Sequence, residues 1–159
     1  MKYLLPFLSL LVLSCAHNPT SRDEISDFSS APLSKQLNPF MSDGCSAWPD
    51  GTQAKPKAWL KCCFNHDLAY WRGGTEKERD IADDSLKVCL RDTFSNTLAI
   101  LMYMGVRFWG KPNYKTSYRW GFGWNYDRGY LPLSEEELKF SKEVSPKKGE
   151  SMDKYLIKK

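Results

Sequence analysis

His66 and Asp83 are the residues of this sequence best suited to moving a proton, and the stretch between them shows how they could meet. The run Cys62-Cys63-Phe64-Asn65-His66-Asp67-Leu68-Ala69-Tyr70 is followed, across Gly73-Gly74, by Ala82-Asp83-Asp84-Ser85-Leu86-Lys87-Val88-Cys89-Leu90. Two helices joined by so short a turn pack as an antiparallel hairpin. His66 with Asp83, and Cys62 with Cys89, are both centred on the Gly74-Thr75 turn. One register therefore sets acid against base and, one or two turns further on, thiol against thiol. A carboxylate beside an imidazole fixes its tautomer and stabilises the imidazolium that forms on proton uptake. No serine or cysteine nucleophile stands beside the pair, so water is the expected attacking group, and a Lewis acid is then needed to hold the oxyanion. Asp67 is the obvious ligand, since calcium takes several hard oxygens that one carboxylate and the carbonyls of an irregular loop would supply.

The elements that must position these groups follow from the local pattern. Pro56, a good first-turn residue, opens a stretch with no breaker until Gly73-Gly74, which predicts one helix. Thr75-Glu76-Lys77-Glu78 has the spacing of a capping box and starts a second helix that runs through Cys89 and could extend to Met104. Asp43-Gly44-Cys45-Ser46-Ala47-Trp48-Pro49-Asp50-Gly51 is dense in turn formers and reads as an irregular loop. Residues 103–130 concentrate aromatics and glycines and read as irregular or as a short hairpin, serving either as core or as an interfacial surface. Ser134-Glu135-Glu136-Glu137 caps a short helix within a polar tail, residues 134–159, whose lysine-rich end is expected to be mobile.

The N-terminus carries an address. Lys2 precedes an apolar run at residues 3–13, about 16 Å long as a helix and too short for a hydrocarbon core of about 30 Å. Residues 1–14 thus read as a cleaved signal peptide. Val12-Leu13-Ser14-Cys15 resembles a lipobox, which implies acylation of Cys15 and removes an otherwise odd thiol. Ala16 after it resembles outer-membrane sorting. Residues 15–38 then form the lipidated cysteine and a flexible Ser/Asp/Asn/Pro-rich tether. The remaining chain, 39–133, is one small domain. The net charge of +4 is dispersed, with no basic block of the kind that marks a nucleic-acid arm.

Cys-Cys-x-x-His-Asp-x-x-Tyr, preceded by a cysteine-containing loop and followed by an aspartate six residues before a cysteine, resembles the secreted phospholipase A2 family. The likeness covers residues 43–90. It implies a mainly α fold with two antiparallel disulfide-linked helices, an irregular calcium loop and, in this chain, an aromatic-rich C-terminal extension. It also implies calcium-dependent hydrolysis of the sn-2 ester of glycerophospholipids, with a phospholipid membrane as partner, no organic cofactor and a monomeric enzyme. Carried over by position, His66 is the general base, Asp83 its partner, Tyr70 a hydrogen-bonding support and Asp67 the calcium carboxylate. The carbonyls of Gly44, Ser46 and Trp48 are further ligands, and the Ser46 amide assists the oxyanion. Cys45–Cys63 and Cys62–Cys89 are the implied disulfides. The family has glycines where Ser46 and Trp48 stand, and some bacterial members use an aspartate at the place of Asp43 instead. Ala69 replaces a cysteine common in animal members.

Other readings of the same residues exist. A Cys-Cys-x-x-His cluster can bind zinc, but an exported chain meets oxidising conditions and the paired Cys-x-x-Cys knuckles are missing. Asp80 and Asp84 are alternative dyad acids, although only Asp83 has the six-residue spacing to Cys89. The alternative to an esterase is a non-catalytic envelope lipoprotein that keeps the scaffold to bind lipid or a partner protein.

Overall fold

A computed structural model of the chain describes residues 30–157, which hold five α-helices and no β-strand. They are α1 (Leu33–Gln36), α2 (Leu60–Arg72), α3 (Glu76–Thr93), α4 (Asn96–Trp109) and α5 (Glu135–Val144), with a single 3₁₀ turn at Met152–Lys154. Helices α2 and α3 form the hairpin that the sequence predicts. Thr75 and Glu78 close a reciprocal capping box at the start of α3, which satisfies two orphan donors and pins the turn. The two disulfides, Cys62–Cys89 across the hairpin and Cys45–Cys63 from the loop to α2, complete the staple.

Four sequence expectations are corrected. Helix α2 begins at Leu60, not Pro56, because residues 52–58 are held in turns by mutual Thr52 and Lys55 hydrogen bonds. The second helix does not run to Met104. It stops at Thr93, and Ser95 caps a separate α4 by accepting from the Leu98 amide. The tether does not last to residue 38, since Gln36 and Leu37 are buried and Leu37 packs with Phe40, Phe64, Trp71 and Trp124. The tail from residue 134 is also part of the fold: Phe140, Met152, Tyr155 and Leu156 pack on that same cluster. The helix that Ser134 caps is present as α5, and the scattered apolar residues of both flanking segments are enough to bury them against an aromatic core. The signal peptide and Cys15 lie outside the described residues.

The aromatic stretch serves the hairpin. A helix leaves its last four carbonyls without partners, and in α2 each finds one. Ala69 O accepts from Gly73 N at 3.1 Å, Tyr70 O from Gly121 N at 2.7 Å and Trp71 O from Gly123 N at 3.1 Å. Arg72 O accepts from the Trp124 indole at 2.7 Å. A Cβ on Gly123 would lie 2.4 Å from the Trp71 ring, so the glycines of Trp120-Gly121-Phe122-Gly123-Trp124 are there to let the chain lie on the helix end. A second core cluster lies around the disulfides, with Trp59, Leu86, Leu90, Ala99 and Met102. Among the described residues no helix is long and apolar enough to cross a membrane.

Candidate active site

The hairpin register brings His66 of α2 and Asp83 of α3 together, with His66 Nε2 2.9 Å from Asp83 Oδ1. His66 is 8 % exposed and Asp83 is fully buried. Tyr70, one turn along α2 from His66, donates its hydroxyl to the same Oδ1 at 2.7 Å. Arg107 of α4 donates to Oδ2 at 2.9 Å. Behind them Arg79, itself buried, donates Nε to the Tyr70 oxygen at 3.0 Å and its terminal nitrogens to Tyr130 and to the carbonyls of Val106 and Arg107.

The protonation states follow from this arrangement. Burial alone would push the Asp83 carboxyl up, but hydrogen bonds from His66, Arg107 and Tyr70 outweigh it and hold the group below the usual carboxylate value. Burial pushes the Tyr70 phenol well up, with the Asp83 charge adding to it and Arg79 opposing. Asp83 is therefore ionised and can only accept, while Tyr70 keeps its proton and donates. Because Asp83 can only accept, His66 carries its proton on Nε2, and Nδ1 holds the lone pair.

The loop before α2 stands over the same place. A cavity of about 120 Å³ is lined by His66, Asp67 and the loop residues Gly44, Ser46 and Trp48, with Gly105 of α4 opposite. Asp67 is 8 % exposed, and its Oδ2 accepts from the Ser42 hydroxyl at 2.6 Å. The Ser42 oxygen in turn accepts from Gly44 N at 3.0 Å. One buried serine thus ties the carboxylate to the loop. Ser46 has a positive φ of 47°, the left-handed region where the resemblance expects glycine. A side chain there costs about 1 kcal/mol, and the Ser46 hydroxyl bonds Asp43 Oδ1 at 2.9 Å. The loop therefore keeps a glycine-like backbone without the glycine.

As a donor set for calcium, Asp67, Asp43 and loop carbonyls are all hard oxygens, which suits that ion rather than zinc. Among the described residues no three His, Cys, Asp or Glu side chains converge as a metal cluster. A calcium site built from one or two carboxylates and main-chain oxygens needs no such cluster. Asp43 and Asp67 line one neighbouring cavity, and both offer the hard oxygens such a site uses.

Of the alternative acids, Asp80 is half exposed and bonds Arg107 at 2.5 Å, and neither it nor Asp84 has a hydrogen bond to His66. Sequence reasoning missed Ser42, Arg79 and Arg107. Ser42 gives no signal of its own. Arg107 does give one, because it is the single charge in the otherwise apolar run of α4, and such a residue needs a partner. No family model, curated protein or solved structure matches this chain.

Proposed function

We propose that this chain is a calcium-dependent phospholipase A2-like esterase that hydrolyses the sn-2 ester of glycerophospholipids. The observation that carries the reading is a buried, ionised Asp83 fixed on His66 Nε2, which leaves Nδ1 basic beside a loop of hard oxygens. His66 Nδ1 takes a proton from water as the water oxygen attacks the ester carbonyl carbon. Asp83 holds the Nε2 proton and balances the transient imidazolium. When the carbon–oxygen bond to glycerol breaks, Nδ1 returns the proton to the leaving alkoxide. Asp67, Asp43 and the carbonyls of Gly44, Ser46 and Trp48 are the residues to hold calcium. The bound ion would supply positive charge for the oxyanion. The loop amides of Gly44, Cys45 and Trp48 are engaged within the loop, so those of Ser46 and Ala47 are the ones left to donate to it.

The test is fatty-acid release from phosphatidylglycerol and phosphatidylethanolamine vesicles, with calcium or chelator, by the chain and by its His66→Gln variant. Calcium-dependent release that His66→Gln abolishes is the expected result. A folded, disulfide-intact protein that releases nothing would instead favour the non-catalytic lipid-binding reading.

We also propose that the chain is exported and anchored through an acylated Cys15, with the outer membrane as its place. Incorporation of labelled palmitate that Cys15→Ser abolishes is the expected outcome, and label retained in that variant would sink the lipobox reading.

A further inference from the structure

Helix α4 is apolar on its outer as well as its inner face from Leu98 to Val106, yet it lies at the surface. Leu98, Ala99, Met102 and Val106 face inward onto the disulfide core, while Ile100, Leu101, Met104 and Phe108 are exposed to 40 %, 49 %, 50 % and 63 %. At 3.6 residues per turn those four fall within about 100° of the helix circumference. Singly exposed apolar side chains need no explanation, but a continuous stripe of this kind does. Gly105 and Trp109 lie further round the helix, about 40° and 80° beyond the Leu101 edge of the stripe, and both line the cavity over His66. The Trp48 indole, 37 % exposed, sits 4.0 Å from where a Gly105 Cβ would lie, and Tyr118, 39 % exposed, lines the same cavity.

Charge narrows the occupant. Residues 93–126 contain no Asp or Glu and four cations, Arg107, Lys111, Lys115 and Arg119. Arg107 is committed to Asp83 and Asp80. Lys111 and Lys115 are exposed, immediately past the end of the stripe. Apolar side chains, three aromatic rings at the rim and unopposed lysines suit an interface of acyl chains under anionic headgroups.

We propose that α4 is a membrane-docking element: its Ile100-Leu101-Met104-Phe108 stripe enters the headgroup boundary of an anionic phospholipid bilayer and sets the cavity mouth, rimmed by Trp48, Trp109 and Tyr118, on the lipid surface. Its purpose rests on the esterase reading, but docking is measured apart from turnover. The full chain with Cys15→Ser, so that no acyl chain contributes, is compared with the same chain carrying Leu101→Glu, Met104→Glu and Phe108→Glu. None of the three lines the cavity.

Co-sedimentation with vesicles of mixed phosphatidylglycerol and phosphatidylcholine, in chelator, should weaken by roughly tenfold or more in the triple variant. The parent should bind pure phosphatidylcholine less tightly and lose its preference for phosphatidylglycerol in high salt. A short-chain phospholipid dispersed below its micelle concentration should be hydrolysed equally by both. Equal vesicle binding by parent and variant would overturn docking through α4. So would concentration-dependent self-association that the three glutamates abolish in a chain that binds no vesicles, since the stripe would then pair two copies. Vesicle binding that needs the stripe, with no hydrolysis of either substrate, would overturn the esterase reading and leave the docking in place.

Discussion

Arg107 Nη1 lies 2.9 Å from Asp83 Oδ2, the oxygen turned away from His66. Asp83 therefore meets His66 and Tyr70 on one oxygen and a cation on the other, and the helix that carries the exposed apolar stripe is bolted to the dyad by a charge pair. The carboxylate is fully buried, while the Arg107 side chain is 30 % exposed.

Arg107→Met removes the hydrogen-bonded cation from Asp83 Oδ2 and leaves it Arg79 Nε at 3.8 Å, so the variant should destabilise the fold by about 2 kcal/mol. Arg107→Lys keeps the charge but puts a more strongly hydrated ammonium where a single guanidinium nitrogen, Nη1, meets both Asp80 and Asp83, and should recover only part of this. Urea unfolding midpoints of the three proteins check the order. A midpoint unchanged in Arg107→Met would mean that the pair contributes nothing.

Tyr70 is fixed from two sides, by Asp83 and Arg79 through its hydroxyl and by the chain at Gly110, where an added Cβ would lie 2.6 Å from the ring. Tyr70→Phe should lower stability by about 1–2 kcal/mol, because it leaves Arg79 Nε and Asp83 Oδ1 each short of a partner, and should cut kcat several-fold through a looser Asp83. Gly110→Ala should do at least as much harm by pushing the ring off Asp83. Wild-type kcat in Gly110→Ala would show that the Tyr70 position does not govern the dyad.

Acid should unfold the protein through two carboxylates. Asp83 is held below its ordinary value of 3.8, since its hydrogen bonds outweigh burial. Glu137 is likewise held below 4.5, where hydrogen bonds from Arg128 and Ser134 outweigh burial. As pH falls the unfolded chain takes up these protons first, so the stabilisation is complete above those values and drains away as pH drops through the lower folded ones. Thermal midpoints should hardly respond to these two groups between pH 6 and 8 and should fall below about pH 4. Glu137→Gln should flatten part of that acid slope, and an identical slope in the variant would remove Glu137 from the account.

The hairpin was legible because its signals are local and redundant. A capping box, two glycines and one register had to explain His66, Asp83, Cys62 and Cys89 together, and the structure has that register. The break between α3 and α4 was not legible, because Phe94-Ser95 interrupts a strong helical pattern with a single capping serine. The function of the aromatic stretch as cap to α2, and the place of Arg107 behind Asp83, depend on contacts across 24 to 52 residues of sequence. Such contacts carry no spacing rule. Ser42 is the extreme case, a small polar residue whose importance comes entirely from what it touches.

The disulfide that matters most to chemistry should be the one that anchors the loop. Cys45–Cys63 closes 18 residues and Cys62–Cys89 closes 27, and chain entropy gives each roughly 3–3.6 kcal/mol. Thermal stability should therefore fall by similar amounts when either pair is replaced by serines. Function should not fall equally, because only Cys45–Cys63 holds residues 44–48 over His66. Calcium titration of the two double variants, below their melting temperatures, should show the larger loss of affinity for Cys45→Ser/Cys63→Ser. Equal losses would mean that the hairpin alone organises the loop.

The C-terminal segment should matter to the loop as well, although nothing in its composition says so. Ser42 N donates to Tyr155 O and Ile157 N donates to Ser42 O, each at 2.8 Å, and the Tyr155 ring packs 6.0 Å from Phe40 and 6.3 Å from Phe64. The backbone of Ser42 is thus clamped by residues 155–157 while its side chain holds Asp67 and Gly44. A chain ending at Glu150 loses that clamp but keeps α2, α3, α4, α5 and both disulfides. It should stay helical by circular dichroism and bind calcium roughly tenfold more weakly, since the two backbone bonds at Ser42, each worth about 1 kcal/mol, no longer set the serine. If calorimetry gives the truncated chain the affinity of the full one, Ser42 is positioned by the loop itself and the tail serves only the aromatic core.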